Sequence, residues 1–546
     1  MTVADVTDND LVQQLEDLNA IGIALSAEHD SQRLLEMIVI SAKTLTHADA
    51  GTLYSVTDDG RLKFEIMRTD SLNIAMGGTT GQAIPFESLP LHLPDGKPNR
   101  NMVAAYAVLE DATVNIADAY QAQGFDFSGT RQFDARTGYR STSFLTVPMK
   151  NHEGQIIGVL QLINAMDEHT GKIVPFSEAN TRLVESLASQ AAVALTNHQL
   201  IDGLKNLFEA FICLIADAID AKSPYIGGHC RRVPELTMML ATAVNRVQHG
   251  PLQSFQMNAS EMDELRIAAW LHDCGKITTP ESLMDKATKL SVIYDRIALI
   301  AQRFALLKKQ GECRMLRQQL QLLQAGKSAE ATALQLAHEQ WVKILDEDFA
   351  FLQEVNKGCE LMPAEDQARV RQIANHVLED AQGQPIPFLT EDEVYNLLIE
   401  SGTLNAEERQ VINHHIVMTI DMLEALPYPK GLQRVPEYAG SHHERMDGKG
   451  YPRGLTREQI SIPARLMCIA DIFEALTSGD RPYKKAKTLS ESLEILGQMK
   501  LDQHIDPDLF DIFIREKVYL EYAQRYLLPD QMDQVDEAKI PGYVPS

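Results

Sequence analysis

The sequence predicts a multidomain protein: an α/β domain at the N-terminus, then an all-α domain that carries a helical insertion. Short β-branched and aromatic runs separated by turn residues fill the stretch from about residue 50 to about 165. Helical periodicity takes over from about 177, and Gly- and Pro-rich loops holding His and Asp residues interrupt it. With 546 residues, 45% of them hydrophobic, the chain can build two or three buried cores.

Residues 1–29 form a helical lead-in, because Leu11, Leu15, Leu18, Ile21 and Leu25 recur at three- and four-residue spacing. The α/β domain covers 30–198. In it, Gly51-Thr52-Leu53-Tyr54-Ser55-Val56 and Leu62-Lys63-Phe64-Glu65-Ile66 flank the turn Asp58-Asp59-Gly60 and predict a hairpin. A second hairpin joins residues 143–149 to 156–163 through Asn151-His152-Glu153-Gly154. A helical pattern then runs from about 177 to 222, with Gly203 its expected breaker, and residues 199–222 connect the two domains. The helical domain spans 205–500, and 501–546 form a C-terminal helical tail. Inside it, at about 291–403, the rows Ile293, Ile297, Ile300, Phe304, Leu307, then Leu316, Leu320, Leu323, then Val342, Leu345, Phe349, Leu352 predict an antiparallel helical hairpin with a trailing helical segment. Its arms break at Ala325-Gly326-Lys327-Ser328.

The net charge of −26 argues against a nucleic-acid polymer or an anionic membrane as partner, since both are bound by basic surface. No run approaches the roughly 20 apolar residues of a membrane span, and Met1-Thr2-Val3-Ala4-Asp5 lacks the features of a signal peptide. A cytoplasmic location is expected. Six scattered cysteines without a C-x-x-C pair predict reduced thiols rather than a disulfide framework or a thiolate zinc site.

The chemistry concentrates in His229, His272, Asp273, Lys276, His415, His442, His443, Asp471, Arg481 and Lys484. Imidazoles and carboxylates without thiolates suit a hydrolytic centre of borderline or redox-capable divalent ions. Taken singly, His229 or His415 reads as a hydrogen-bonded structural histidine, Lys276 as a solvated helix residue, and Arg481 with Lys484 as a solvated basic face. It is the order and number of the motifs that make the set.

Those motifs resemble the HD-GYP phosphodiesterases of the HD phosphohydrolase superfamily. The resemblance rests on Asp220-Ala221-Lys222-Ser223-Pro224-Tyr225 leading to His229, on Leu271-His272-Asp273-Cys274-Gly275-Lys276, and on Leu404-Asn405-Ala406-Glu407-Glu408-Arg409 leading to His415. It continues in His442-His443-Glu444 with Asp447-Gly448-Lys449-Gly450-Tyr451-Pro452, and in Asp471 followed by Asp480-Arg481-Pro482-Tyr483-Lys484. It implies two divalent metal ions, Fe or Mn, held by His229, His272, Asp273, His415, His442, His443 and Asp471, with Asp273 shared. Asp273 and Lys276 are then catalytic, and Lys276, Arg481 and Lys484 bind substrate phosphates. The implied substrate is a cyclic dinucleotide, cyclic di-GMP first, opened to pGpG and further to GMP; cyclic GMP-AMP, another nucleotide, or a weakly catalytic receptor are the alternatives. Tyr225 stands where some members carry a glutamate that helps to hold a third metal, which favours two. Glu474 replaces the usual acid three residues after Asp471, and one extra residue precedes Arg481. Tyr451 and Pro452 are expected to shape their loop rather than to touch substrate.

Residues 30–198 resemble a GAF sensor domain, through Val114-Asn115-Ile116-Ala117-Asp118, Phe133-Asp134-Ala135-Arg136-Thr137-Gly138-Tyr139 and Gly158-Val159-Leu160-Gln161-Leu162-Ile163-Asn164. This implies a small-molecule ligand of unknown identity that regulates the second domain. The Phe-Asp-x-x-Thr-Gly-Tyr stretch either contacts a cyclic nucleotide or braces the fold, and the lack of cysteine here counts against a covalently attached bilin or a thiol sensor. The helices flanking this domain offer a route to a homodimer.

Overall fold

The computed structural model describes residues 16–222, 228–359, 361–479 and 486–545. The chain forms two compact units, Met1–Phe208 and Glu209–Ser546.

The first unit is built on an antiparallel sheet. Its strands are β1 (Ala48–Val56), β2 (Arg61–Thr69), β3 (Ile74–Gly77), β4 (Leu89–Pro90), β5 (Val114–Ile116), β6 (Phe144–Lys150), β7 (Ile156–Met166) and β8 (Ile173–Val174). The main path runs β3-β2-β1-β7-β6-β5, with β4 on β2 and β8 on β7. Both expected hairpins form, β1 with β2 and β6 with β7. The two are joined by pairing of β1 with β7 in the register Leu53↔Leu160. The short strands β3, β4, β5 and β8 were not expected.

Alternation along the strands divides the side chains between two cores. One face sends Leu53, Ile66, Leu145, Val147, Leu160 and Leu162 against Leu34 and Ile38 of the helix Ser31–Thr46 and Leu187 and Ala191 of the helix Glu178–Lys222. Asp30 caps the first of these helices by accepting from the amides of Gln32 and Arg33. The other face, carrying Thr52, Tyr54 and Gln161, lies under a cavity of about 610 Å³ that also meets Phe64, Phe133 and Tyr139. Beside it the Phe-Asp-x-x-Thr-Gly-Tyr stretch is committed internally. The buried Asp134 carboxylate accepts from Tyr120 Oη at 2.7 Å and from Ser141 N and Oγ at 2.8 Å each, and Tyr139 Oη donates to Asp49 at 2.6 Å. Of the lead-in, residues 16–27 are helical and bury Leu18 and Leu25; Leu11 and Leu15 lie outside the described residues.

The helix Glu178–Lys222 runs unbroken for 45 residues. Gly203 does not interrupt it: a glycine costs a helix only about 1 kcal/mol, which the surrounding leucines and alanines absorb.

The second unit is mostly helical. Its insertion has the expected hairpin, in helices Ile297–Gln324 and Ser328–Asn356, and a core of its own built from residues such as Leu290, Phe304, Leu345, Leu352, Val370 and Phe388. Packing is confined to the base. Leu316, Leu320 and Leu323 stay half exposed toward the tip, against the expectation of a continuous seam. The trailing segment is not wholly helical, because β9 (Val377–Glu379) and β10 (Pro385–Pro387) form a small hairpin between helices Ala364–Ala374 and Glu391–Leu397. The two ends of the insertion are stapled together. The fully buried Lys289 donates to the carbonyls of Leu397 (3.1 Å) and Ile399 (2.8 Å), Lys286 pairs with Glu408 at 2.7 Å, and Thr403 Oγ1 donates to Lys286 O at 2.9 Å.

Candidate metal centre

Helix ends deliver most of the candidate ligands. His229 opens the helix His229–Asn245, after Gly228 in a left-handed conformation. His272 and Asp273 end the helix Ala259–Leu271, whose start is fixed by a capping box of Asn258 and Glu261. His415 opens the helix His415–Glu424, and His442 and His443 follow the helix Val435–Gly440. Asp471 lies inside the helix Ile462–Thr477. After Asp273 the chain turns through Cys274–Thr278, and Gly275 lets it do so, since a Cβ there would stand 2.0 Å from His415 O.

All seven residues converge. The ligand atoms of His229, His272 and Asp273 lie within 4.8 Å of one another, as do those of Asp273, His415, His442 and His443. Asp273 belongs to both sets: Oδ2 is 3.3 Å from His229 Nε2 and 3.2 Å from His272 Nε2, while Oδ1 is 3.3 Å from His415 Nε2. Asp471 Oδ1 is 3.3 Å from His229 Nε2, and Lys276 Nζ is 2.5 Å from Asp273 Oδ2. Arg481 and Lys484 lie outside the described residues, as does Tyr225.

The outer ring nitrogens fix how these imidazoles present themselves. Nδ1 of His272, His415 and His442 lies 2.7, 2.6 and 2.6 Å from the carbonyl oxygens of Ala269, Ile412 and Ala439. A carbonyl only accepts, so Nδ1 carries the proton and the Nε2 lone pair turns inward. His229 Nδ1 is held instead by Glu474, whose other oxygen accepts from Arg232 Nε at 2.6 Å. The result is a cluster of acceptors facing acceptors. His272 Nε2, His442 Nε2 and Asp273 Oδ1 are buried without a hydrogen-bond partner among the described residues. Orphaned buried acceptors cost about 1–3 kcal/mol each, and a divalent cation removes that cost. The donor set fits such ions.

For His442 and His443 electrostatics point the same way. Burial, then the neighbouring His272, pushes His442 down to about 4, and burial with His442 beside it holds His443 well below the imidazole range. Both are therefore neutral near pH 7, as ligands must be. Burial opposes ionisation of Asp273 and Asp471, but Lys276 and His272 around the first and His229 beside the second outweigh it and hold both carboxyls well below their usual range. Burial likewise opposes a charge on His229, which the carboxylates of Glu474, Asp273 and Asp471 nevertheless raise.

Two neighbours were not singled out in the sequence. Lys222 Nζ donates to the carbonyl oxygens of Lys276 (3.3 Å), Ile277 and Thr279 (2.6 Å), clamping the turn that follows Asp273. Glu474 stood out only as a replacement; its spacing from Asp471, on one helix face, was the available signal for its hold on His229. The Asp447–Tyr451 loop folds over fully buried Glu444, whose carboxylate accepts from the amides of Arg453 (2.8 Å) and Leu455 (2.9 Å). The Tyr451 ring stacks on His443 at 4.8 Å between centroids.

Residues 30–195 match the GAF domain family and residues 390–509 the HD domain family. The chain carries a GAF domain and an HD domain. The HD match includes His415, His442, His443 and Asp471; His229, His272 and Asp273 precede it, across the insertion. The GAF match agrees with the resemblance of the N-terminal domain drawn from the sequence, and similar proteins agree with that of the helical domain. A 3′3′-cGAMP-specific phosphodiesterase 1 of Vibrio cholerae is 39% identical over 119 residues, covering 22% of this chain and 27% of that protein. A 3′3′-cGAMP-specific phosphodiesterase 3 of the same organism is 39% identical over 139 residues, 26% of this chain and 27% of that one. A cyclic di-GMP phosphodiesterase of Pseudomonas aeruginosa is 45% identical over 74 residues, 14% and 17%. The chain thus spans about a quarter or less of the length of these relatives. Among the described residues no helix is long and apolar enough to cross a membrane.

Proposed function

We propose that this protein is a metal-dependent phosphodiesterase of cyclic dinucleotides, cyclic di-GMP foremost, whose GAF domain regulates it through a small-molecule ligand. The observation that carries the reading is the pair of ligand sets sharing Asp273, in which Nε2 of His272 and of His442 has no hydrogen-bond partner among the described residues. His229, His272 and Asp471 would hold one divalent ion, iron or manganese, His415, His442 and His443 a second, with Asp273 common to both. When bound, such ions supply Lewis-acid polarisation of a phosphodiester and a nucleophilic water at neutral pH.

The chain's own residues do the rest. Glu474 and the three backbone carbonyls hold the imidazoles in one tautomer and orientation. Lys276 brings a positive charge to the shared carboxylate, where it can stabilise the charge that develops on an attacked phosphate. Arg481 and Lys484 would bind further phosphate oxygens. The 610 Å³ cavity of the GAF unit is the expected ligand site; the Asp134 carboxylate and the Tyr139 hydroxyl brace the fold through internal hydrogen bonds, while Phe133, Arg136 and the Tyr139 side chain also line that cavity.

The test is anaerobic incubation of Fe(II)- or Mn(II)-loaded protein with cyclic di-GMP and cyclic GMP-AMP in parallel, with products resolved by anion-exchange chromatography. Metal-dependent pGpG is the expected result. Turnover of cyclic GMP-AMP alone would reassign the substrate, and no turnover of either with metal bound would make the protein a receptor.

A further inference from the structure

The cavity of about 610 Å³ in the first unit is walled by aromatic rings in two groups. Tyr54, Phe64 and Phe86 form one, with successive ring centroids 4.7 and 5.7 Å apart, and Phe127 with Phe144, 5.4 Å apart, form the other. Strand β7 lies between the strands of Tyr54 and Phe144, so Gln161 sits on the sheet between the two groups. This side chain is more than nine-tenths buried and held on both sides: Oε1 accepts from Tyr54 Oη at 3.2 Å, and Nε2 donates to Thr146 Oγ1 at 3.0 Å. A primary amide has two N–H groups and two oxygen lone pairs. Its orientation is thus fixed, and one of each is left for a ligand. Among the described residues the charged groups lining the cavity are Glu87, Asp126 and Arg136, two acids against one base. The helix Ser128–Thr137 starts at the same wall, and its first amide is taken, Ser128 N donating to Asp126 at 2.8 Å.

On the reading of this cavity as the GAF ligand site, we propose that its ligand is an uncharged, planar heteroaromatic compound carrying a ring lactam. The lactam presents an N–H donor beside a carbonyl acceptor, the complement of what the Gln161 amide has left. The rings pack against the two aromatic groups, where offset and edge contacts add to the burial of apolar surface. A cavity of this size buries most of a compound of three fused rings. Charge decides against a nucleotide. A phosphate placed here would add negative charge beside the Glu87 and Asp126 carboxylates, on a chain of net charge −26, with Arg136 the one base in the lining among the described residues.

The test is equilibrium dialysis of the full-length protein against three probes. Phenanthridinone is an uncharged three-ring lactam, phenanthridine has the same rings without the lactam, and cyclic GMP has a lactam on its base but carries an anionic phosphate. Phenanthridinone should bind, phenanthridine should bind at least about tenfold more weakly, and cyclic GMP should not bind at the same concentration. Gln161→Leu should abolish the difference between the two ring compounds. Gly129 lines the cavity and a Cβ there meets nothing within 4 Å, so Gly129→Trp should fill the space and remove phenanthridinone binding. Equal affinity of the wild type for the two ring compounds, or no binding of phenanthridinone, would overturn the ligand class. Binding of cyclic GMP that Gly129→Trp removes would overturn the class while keeping the cavity as the site. Phenanthridinone binding that survives Gly129→Trp would overturn the cavity itself.

Discussion

The two units each bury a carboxylate in a polar cluster, and the clusters are built on opposite principles. Around Asp134 every acceptor has a donor, with Tyr120 and Ser141 filling the carboxylate. Around Asp273 Lys276 Nζ donates to Oδ2, but among the described residues His272 Nε2, His442 Nε2 and Asp273 Oδ1 are left without a donor. A closed cluster contributes to the fold it sits in; an open one suits a cation, which takes up the unpaired acceptors. The same contrast holds within the helical unit, where buried Asp506 is closed by Arg457 at 2.9 Å, by Arg465, and by the amides of Asp508 and Leu509 that it caps.

Substitutions can break this contrast. Asp273→Ala should lower turnover by at least about a thousandfold and reduce bound metal measured by elemental analysis; retained turnover would sink the proposed mechanism. Asp506→Ala should do the reverse. It should cost about 3–5 kcal/mol in denaturant unfolding, because two arginines lose a buried partner, and leave the metal content of folded protein intact. Burial opposes ionisation of Asp506, but Arg457 outweighs it and holds the carboxyl below 3.8. The stability it contributes is therefore present at neutral pH and is lost as pH falls below 3.8 through the lowered folded value; Asp506→Asn should flatten that part of the acid limb.

Smaller effects sharpen the comparison. Asp134→Ala should cost on the order of 2–4 kcal/mol by stranding the donors around it, seen as a lower unfolding temperature of the GAF transition with metal content unaltered. Glu474→Gln should weaken metal binding about 10–100-fold, measured against metal buffers, since His229 keeps a hydrogen-bond partner but loses a charged one. Lys222→Met should act least, at about 1 kcal/mol, and appear as faster amide exchange over residues 276–279. Unchanged exchange there would show that the clamp does not hold the turn.

The open cluster was legible in the sequence because its chemistry lies in residue identity: seven candidate ligands recur in motifs whose order survives a long interruption. What held them was less so. The carbonyls of Ala269, Ile412 and Ala439 are backbone atoms, and no residue choice announces them. The strands β1, β2, β6 and β7 showed alternation and turn residues, whereas β3, β4, β5 and β8, of two to four residues, are too short to express a period. Gly203 misled because a glycine inside a helix is read against the helix alone. Leu316, Leu320 and Leu323 carry the same spacing as the buried base of the hairpin, and periodicity cannot tell how far along two arms the contact extends.

The staple at Lys286, Lys289 and Thr403 bears on how such a chain can change over time. Its two strands enter and leave the insertion side by side, so the host sees a gap of almost no width whatever is hung on it. Closing a longer loop adds only about 0.6 kcal/mol per doubling, and a segment with its own core supplies its own stability. The segment can be acquired, lengthened or exchanged for a short turn while Asp273 and His415, on either side of the junction, keep their 3.3 Å separation.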